Sequence, residues 1–533
     1  MDKLLEYQKT HVESIINSLV IYNRALDASD TGTGKTFTSV CACKVIGWKP
    51  FIICPKSVIA AWLKVLEFFK CDFYGITNYE LLQNCSYYNT EGEKKKIPFL
   101  TRNVIKKDPA NDPLGLDSSS DSDSEEEVKY EYKWLKELIP DNILFIFDEA
   151  HRCKNAKTNN GQIIHNLSSH KHIKILLLSA TVVDKQKYFI LTGFILGLYD
   201  NVRKGRTWIK KLSYKSNQTD GLTKNSNLAM LEGIHKKIYP DYASRMKISN
   251  VKNDFPECKI IAESRPMDNV VEIQAAWDEI KQATEELKKQ ELASSPLARI
   301  IYARQRIELL KVPEFIKLTQ EEMIKGNSVV LFVNFTETLL TLSEKLNTKC
   351  LIYGEQKIDD RDTNIEDFQT DKQRICICNI KTGGTGISLN DQYGNFSRVA
   401  IISPTWSAQD LIQVLGRIYR AKTKTKVLQR IIFCKGTVED QVCKMIQDKV
   451  ANIAFINDGS IDSYKIEGLT DKLMIPSGIE KITDNLTSNQ ENKFGEIFNK
   501  VSKLYERKIT LQKELDLINK EINQSEGLLN SMY

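Results

Sequence analysis

The heptapeptide Asp30-Thr31-Gly32-Thr33-Gly34-Lys35-Thr36 limits what this chain can fold into more than any other stretch. Its alternating glycines allow a tight loop that a Cβ would block, and the Gly-Lys-Thr ending runs directly into a helix-forming segment. In such a loop, backbone N–H groups converge on a nucleotide's phosphates, the lysine ammonium reaches the terminal oxygens, and the threonine hydroxyl takes a magnesium ion. These seven residues are the candidate nucleotide-binding set. One departure is Ser29, which occupies the position five residues before the Gly-Lys pair where glycine is usual. A glycine-rich surface turn ahead of a helix has the same composition, so the surroundings must decide.

Those surroundings have the grammar of a parallel α/β sheet. Leu4, Leu5, Val12, Ile15 and Ile16 recur at helical spacing ahead of the loop, and Phe37 to Val45 continue as a helix whose N-terminus faces the phosphates. Phe51 to Cys54 form a short apolar strand stopped by Pro55. The continuous apolar run Ile143 to Phe147, the mark of a strand buried on both faces, delivers Asp148-Glu149-Ala150-His151 to its end. Ile175 to Leu178 deliver Ser179-Ala180-Thr181 in the same way. Ligands of open α/β sheets sit at the carboxyl ends of strands, where both segments fall. Strand candidates resume at Val329 to Val333, Ile375 to Cys378, Val399 to Ile402 and Val427 to Cys434, which predicts a second α/β domain.

The predicted organisation is an N-terminal domain over 1–195, a helical insertion or bridge over 196–311, a second domain over 312–470 and a helical tail over 471–533. Residues 84–133, polar and carrying Lys94-Lys95-Lys96 and the acidic block Ser118 to Glu127, read as a mobile loop inserted in the first domain. In the tail, Ile497, Val501, Leu504, Leu511, Leu515, Ile518 and Ile522 recur at 3, 4 or 7 residues, with only Lys508 interrupting. That seam predicts self-association or a protein partner through 494–529, or a helix docked on its own domains.

The 75 basic and 69 acidic residues give a net charge of +6, and the acidic block hides a more basic remainder suited to a polyanionic partner. No apolar run approaches the roughly 20 residues of a membrane helix, and Met1 to Glu6 are charged rather than signal-like. Twelve cysteines include the pairs Cys41/Cys43 and Cys376/Cys378 but no C-x-x-C, so free thiols in a reducing, intracellular compartment are expected: nucleus, cytoplasm, or a viral factory or virion.

Phosphoryl transfer to water needs a metal held against the phosphates, a group that orients the water, and positive charge on the departing phosphoryl group. Asp148, with Thr36, is the candidate magnesium ligand, and Glu149 the group that polarises water. Arg417 and Arg420, three residues apart in Gln413-Val414-Leu415-Gly416-Arg417-Ile418-Tyr419-Arg420, would share one helix face and supply the remaining charge.

Taken in order, these segments resemble the motifs of helicase superfamily 2, and more narrowly the Swi/Snf-type DNA translocases and their viral relatives. Tyr7-Gln8 resembles the adenine-reading glutamine segment, Asp148 to His151 the Walker B box, and Ser179 to Thr181 the segment that couples hydrolysis to domain movement. Cys54 to Ser57 and Ile76 to Glu80 resemble nucleic-acid-contacting segments. Thr382-Gly383-Gly384-Thr385-Gly386, Pro404-Thr405-Trp406-Ser407, Gln413 to Arg420 and Gly436-Thr437-Val438-Glu439 resemble the motifs of the family's second domain.

The resemblance implies two tandem RecA-like domains, ATP and Mg²⁺ as cofactors, and movement along duplex DNA, with an RNA helicase or a nucleotide-gated scaffold as alternatives. It implies nucleotide contacts from Gln8 and Gly386 and catalytic roles for Lys35, Asp148, Glu149, Gln413, Arg417 and Arg420. Nucleic-acid contact or coupling is implied for Lys56, Ser57, Thr77, Ser179, Thr181, Thr382, Gly383, Gly384, Thr405 and Trp406. Two departures stand out. Ser179-Ala180-Thr181-Val182 replaces the Thr-Gly-Thr-Pro usual in Swi/Snf-type proteins, and Arg420-Ala421-Lys422-Thr423 lacks the His and Gln common in chromatin remodellers. Compact length and Asn- and Lys-rich insertions lean towards a large-DNA-virus or protist source.

Overall fold

The computed structural model describes residues 1–105, 129–182, 186–219, 226–251, 255–288, 294–354, 356–383, 386–405 and 407–437, together with positions 439, 450, 453, 457 and 458. The acidic block 118–127 and the tail 471–533, with its heptad seam, lie outside the described residues. The chain divides into two compact units, Met1–Val251 with Ala451–Ser463, and Lys252–Val450 with Tyr464–Tyr533.

In the first unit the strands, in chain order, are β1 (Arg24–Asp27), β2 (Lys49–Cys54), β3 (Gly75–Asn78), β4 (Ser86–Tyr88), β5 (Lys94–Lys96), β6 (Leu100–Ile105), β7 (Lys129–Trp134), β8 (Ile143–Asp148), β9 (Lys174–Leu178) and β10 (Ala243–Ser244). Eight of them form one sheet in the order β10-β1-β9-β8-β2-β3-β4-β5, parallel except for the β3–β4 and β4–β5 pairings, and β6 with β7 makes a separate antiparallel ribbon. Alternate residues of the central strands face opposite cores. Phe51, Ile53, Phe145 and Phe147 join one apolar cluster, while Ile52, Cys54, Leu144 and Ile146 join the other. This two-sided burial is why the strands read as unbroken apolar runs.

The second unit repeats the plan with β11 (Cys258–Arg265), β12 (Ser328–Val333), β13 (Leu351–Ile352), β14 (Ile375–Asn379), β15 (Arg398–Ile402) and β16 (Val427–Cys434). They form one wholly parallel sheet in the order β11-β16-β15-β12-β14-β13. Two parallel α/β sheets are thus present, as the sequence predicts.

Two expectations are corrected. Residues 84–133 are not a loop throughout, because β4, β5, β6 and β7 occupy both ends of the segment. Tyr87 and Phe99, with Trp134 just past the segment's end, are buried and lie 5.4–5.6 Å, ring to ring, from Phe51 or Phe145, or 6.0 Å for the Phe51–Phe99 pair. Half-exposed antiparallel strands alternate polar and aromatic residues, so their mean polarity resembles that of disorder. The expected bridge over 196–311 is likewise shared between the two units, with β10 extending the first sheet and β11 the second.

Candidate nucleotide site

β1 ends at Asp27, and the phosphate loop follows, leading into the helix Lys35–Ile46. Gly32 and Gly34 adopt φ of 83° and 96°, which L side chains rarely do, and a Cβ on Gly34 would come within 2.3 Å of Gln8 Nε2. Gln8 packs there for a reason: its Nε2 donates to the Thr33 carbonyl at 2.9 Å, and the Tyr7 hydroxyl donates to the same oxygen at 3.2 Å. Gln8 thus packs against the phosphate loop itself. Lys35 Nζ donates to the carbonyls of Ser29 and Asp30 at 2.9 and 3.1 Å, within the loop it serves.

Ser29 acquires a reason for not being glycine. Its Oγ accepts from the Met246 N–H at 2.9 Å and lies 3.2 Å from His11 Nε2, while its own N–H donates to Asp27 Oδ1. Asp27 is fully buried and 3.1 Å from His11 Nε2. Burial pushes its carboxyl up, but His11, then Lys35 and the Ser29 side chain, together outweigh burial and hold it below the usual carboxylate range.

Asp148 closes β8 and is held from two sides. Its Oδ2 accepts from Trp62 Nε1 at 2.9 Å, its Oδ1 accepts from the Glu149 N–H at 3.0 Å, and its carbonyl accepts from the Tyr79 hydroxyl at 2.7 Å. Burial, and then the neighbouring charge of Glu149, raise the Asp148 carboxyl to about 6. A cation beside it would relieve both effects, so the carboxylate suits Mg²⁺. Among the described residues no three His, Cys, Asp or Glu side chains cluster to hold a metal unaided. Glu149 sits at φ 55°, a conformation unusual for a side-chain-bearing residue and found often at functional turns. His151 Nδ1 then lies 3.3 Å from Glu149 Oε2, 3.2 Å from Ser179 Oγ and 3.5 Å from Thr181 Oγ1. One ring nitrogen so joins Glu149 to Ser179 and Thr181, both buried.

In the second unit the helix Ala408–Ile418 is capped by Ser407 Oγ, which accepts from the Asp410 N–H at 3.1 Å. Gln413 and Arg417 are buried on it. The helix stops before Arg420, correcting the expectation of two arginines on one helical turn. The two guanidiniums converge nonetheless: Arg417 Nη1 and Arg420 Nη2 donate to the Ile387 carbonyl at 3.2 and 2.8 Å, one residue past Gly386. Burial and the charge of Arg417 lower Arg420 to about 9.

The expected nucleic-acid residues separate into kinds. Lys56 and Ser57 are exposed just past β2. Thr77 is fully buried and its hydroxyl donates to the Ser86 carbonyl at 2.7 Å, so it secures β3 to β4 instead of presenting a surface contact. Thr405 is also buried. Thr382 and Gly383 belong to the short helix Ile380–Gly383, whereas Gly384 and Trp406 lie outside the described residues. Trp62, His11 and Asp27 carry no motif signal in the sequence, and Tyr79, within a segment read as nucleic-acid-contacting, instead holds the Asp148 carbonyl; the period of an apolar helix face marks Trp62 as core, not as the donor to Asp148. The eleven described cysteines are all free, ten of them buried, and no described helix is long and apolar enough to cross a membrane.

Residues 2–184 match the family described as the res subunit of type III restriction enzymes, and residues 310–422 match the helicase conserved C-terminal domain. A protein of Acanthamoeba polyphaga mimivirus, provisionally named as an ATP-dependent RNA helicase, is 35% identical over 482 residues, covering 87% of this chain and 85% of its own length. A Caenorhabditis elegans homologue of the SWI/SNF-related matrix-associated actin-dependent regulator of chromatin subfamily A-like protein 1 is 23% identical over 84% of this chain and 61% of its own. A solved structure, the Sulfolobus solfataricus SWI2/SNF2 ATPase core in complex with dsDNA, aligns over 86% of this chain and 94% of that one at 14% identity, with a TM-score of 0.32. With a relative this similar over nearly its full length, and a nucleotide loop and acidic pair at the carboxyl end of one sheet, the chain belongs to helicase superfamily 2, whose members are nucleic-acid-dependent ATP hydrolases.

Proposed function

We propose that the protein couples ATP hydrolysis to movement along duplex DNA. The observation that carries this reading is the join made by His151, which ties Glu149, the residue assigned to the attacking water, to the coupling segment Ser179 to Thr181. Hydrolysis at that water alters the hydrogen-bond partners of the very segment that moves.

In this reading the phosphate loop and Lys35 hold the β- and γ-phosphates, and Gln8 reads the base. Thr36 and Asp148 would hold Mg²⁺, which when bound would supply positive charge to the phosphate oxygens. Arg417 and Arg420, gathered on the Ile387 carbonyl, supply the charge that Lys35 leaves unfinished, with Gln413 and Gly386 beside them. Lys56 and Ser57 contact the sugar-phosphate backbone irrespective of sequence, so affinity falls with salt. The Swi/Snf-type motif order favours duplex DNA, while the name of the mimivirus relative favours RNA as the second reading.

ATPase rates measured with duplex DNA, single-stranded DNA and RNA test the choice. Duplex DNA should stimulate most; greater stimulation by RNA overturns the DNA reading. Lys35→Ala should abolish turnover with every polynucleotide, and undiminished turnover would remove the site assignment itself.

A further inference from the structure

The phosphate loop is held from outside its own crossover. Residues 242–248 run beside residues 26–30: β10 pairs with β1, the Asp30 N–H donates to the Met246 carbonyl at 3.1 Å, and the Ile248 N–H donates to Asp30 Oδ2 at 2.9 Å. Arg245 lies in the middle of this run. Its Nη1 donates to the Ala28 carbonyl, and its Nη2 pairs with Asp30 Oδ1 at 2.7 Å. Behind Arg245 stands Asp458, from the segment Ala451–Ser463 that returns to the first unit after the second sheet is complete. Asp458 Oδ1 lies 2.8 Å from Arg245 Nε and 2.8 Å from Lys247 Nζ, and its Oδ2 accepts from Arg245 Nη2 at 3.2 Å. The next residue back, Asn457, donates from Nδ2 to the Ala180 carbonyl at 2.8 Å.

We infer that Arg245 and Asp458 are positioning residues for the ATP site, and that the two-residue segment Asn457-Asp458 links the phosphate loop to the coupling segment 179–181. The argument rests on what is connected. Asp30 opens the phosphate loop, and both of its carboxylate oxygens are held by the 245–248 run, so any displacement of Arg245 shifts the loop's entry. Ala180 is the middle of the segment that His151 joins to Glu149. Asn457 and Asp458 therefore touch, directly or through one arginine, both the coupling segment 179–181 and the start of the phosphate loop.

Charge placement points the same way. The side chains of Arg245 and Asp458 are 3% and 0% exposed. A buried ion pair of this kind is weak evidence for stability, since apolar residues of similar volume often do as well. What an apolar replacement cannot do is grip Asp30 with a guanidinium fork while leaving its second oxygen to the Ile248 N–H. The inference deepens the nucleotide-site assignment above and depends on it.

The test is steady-state ATPase kinetics with saturating duplex DNA on full-length Asp458→Asn and Arg245→Lys, alongside Lys35→Ala. Asp458→Asn should raise the KM for ATP about tenfold, equivalent to about 1.4 kcal/mol, with kcat within about threefold and the KM for DNA unchanged. Arg245→Lys keeps the charge, loses the fork, and should give a smaller rise in the same parameter. If Asp458→Asn does not fold, Arg245→Lys alone decides, with the thermal shift produced by a non-hydrolysable ATP analogue as second readout; that shift should shrink. Lower melting temperatures with an unaltered KM for ATP and an unaltered analogue shift would overturn the inference and leave a purely structural ion pair. If Lys35→Ala also leaves turnover intact, the nucleotide-site reading fails first, and the two failures are told apart.

Discussion

Lys311→Met should destabilise the second unit severely, for a reason visible in one buried pair. Lys311 Nζ donates to Glu439 Oε1 and Oε2 at 3.0 and 2.9 Å and to the Ile432 carbonyl at 2.8 Å, with the two side chains 1% and 4% exposed. Glu439 also accepts from the Cys434 N–H. It is the last residue of Gly436-Thr437-Val438-Glu439, so this signature has a structural role: it fastens the chain after β16 to the start of the helix Val312–Ile324. Methionine matches the lysine stem but removes both hydrogen bonds from Nζ to the buried carboxylate and the one to the Ile432 carbonyl. Stranding a buried charge costs about 3–5 kcal/mol. For a unit of about 200 residues, each kcal/mol lowers the midpoint by about 2–4 °C, so a fall of about 6–20 °C is expected. Lys311→Met/Glu439→Gln removes the stranded charge and should recover about half of the loss. Thermal unfolding of the full chain, followed with and without an ATP analogue to separate the two units' transitions, reads all three proteins. A midpoint within about 2 °C of wild type, or a double variant no more stable than Lys311→Met, refutes the reasoning.

Further outcomes concern the nucleotide site. Because the Asp148 carboxyl is raised to about 6, its protonated form is favoured in the fold; the stability it contributes is complete below its unfolded value of about 3.9 and is lost as pH rises through about 6. In metal-free melts, wild type should lose up to about 3 kcal/mol relative to Asp148→Asn between pH 4 and 7.5; parallel pH profiles would contradict this. Gly34→Ala brings a Cβ within 2.3 Å of Gln8 Nε2 at a φ of 96°, so ATP binding measured by calorimetry should fall at least about tenfold. Trp62→Phe removes the N–H donated to Asp148 Oδ2 and should lower kcat about tenfold with little change in the KM for ATP, since one hydrogen bond to a charged group contributes about 1.5 kcal/mol.

Much of this protein was legible along the chain because its chemistry is local. The phosphate loop needs glycines next to a lysine and a helix start, and a strand buried on both faces must be apolar at every position. Ile143 to Phe147 therefore announced both the strand and the acidic pair at its end. Order along the chain then identified the family. The aromatic strands of 84–133 were misread for an equally local reason, since alternation dilutes an apolar signal that only the folded face collects.

What the tertiary structure alone decided are the partners brought from far away. Ser29 looked like a flaw in a motif until Met246, 217 residues on, donated to its hydroxyl. Trp62 became the donor to Asp148 across 86 residues, and Glu439 the counter-charge of Lys311 across 128. Arg417 and Arg420 share the Ile387 carbonyl although a helix end separates them. Spacing within a segment specifies which residues one turn of helix or one strand face unites. Which segments meet is set by the packing of whole sheets, where a pairing has no signature at either of its two positions.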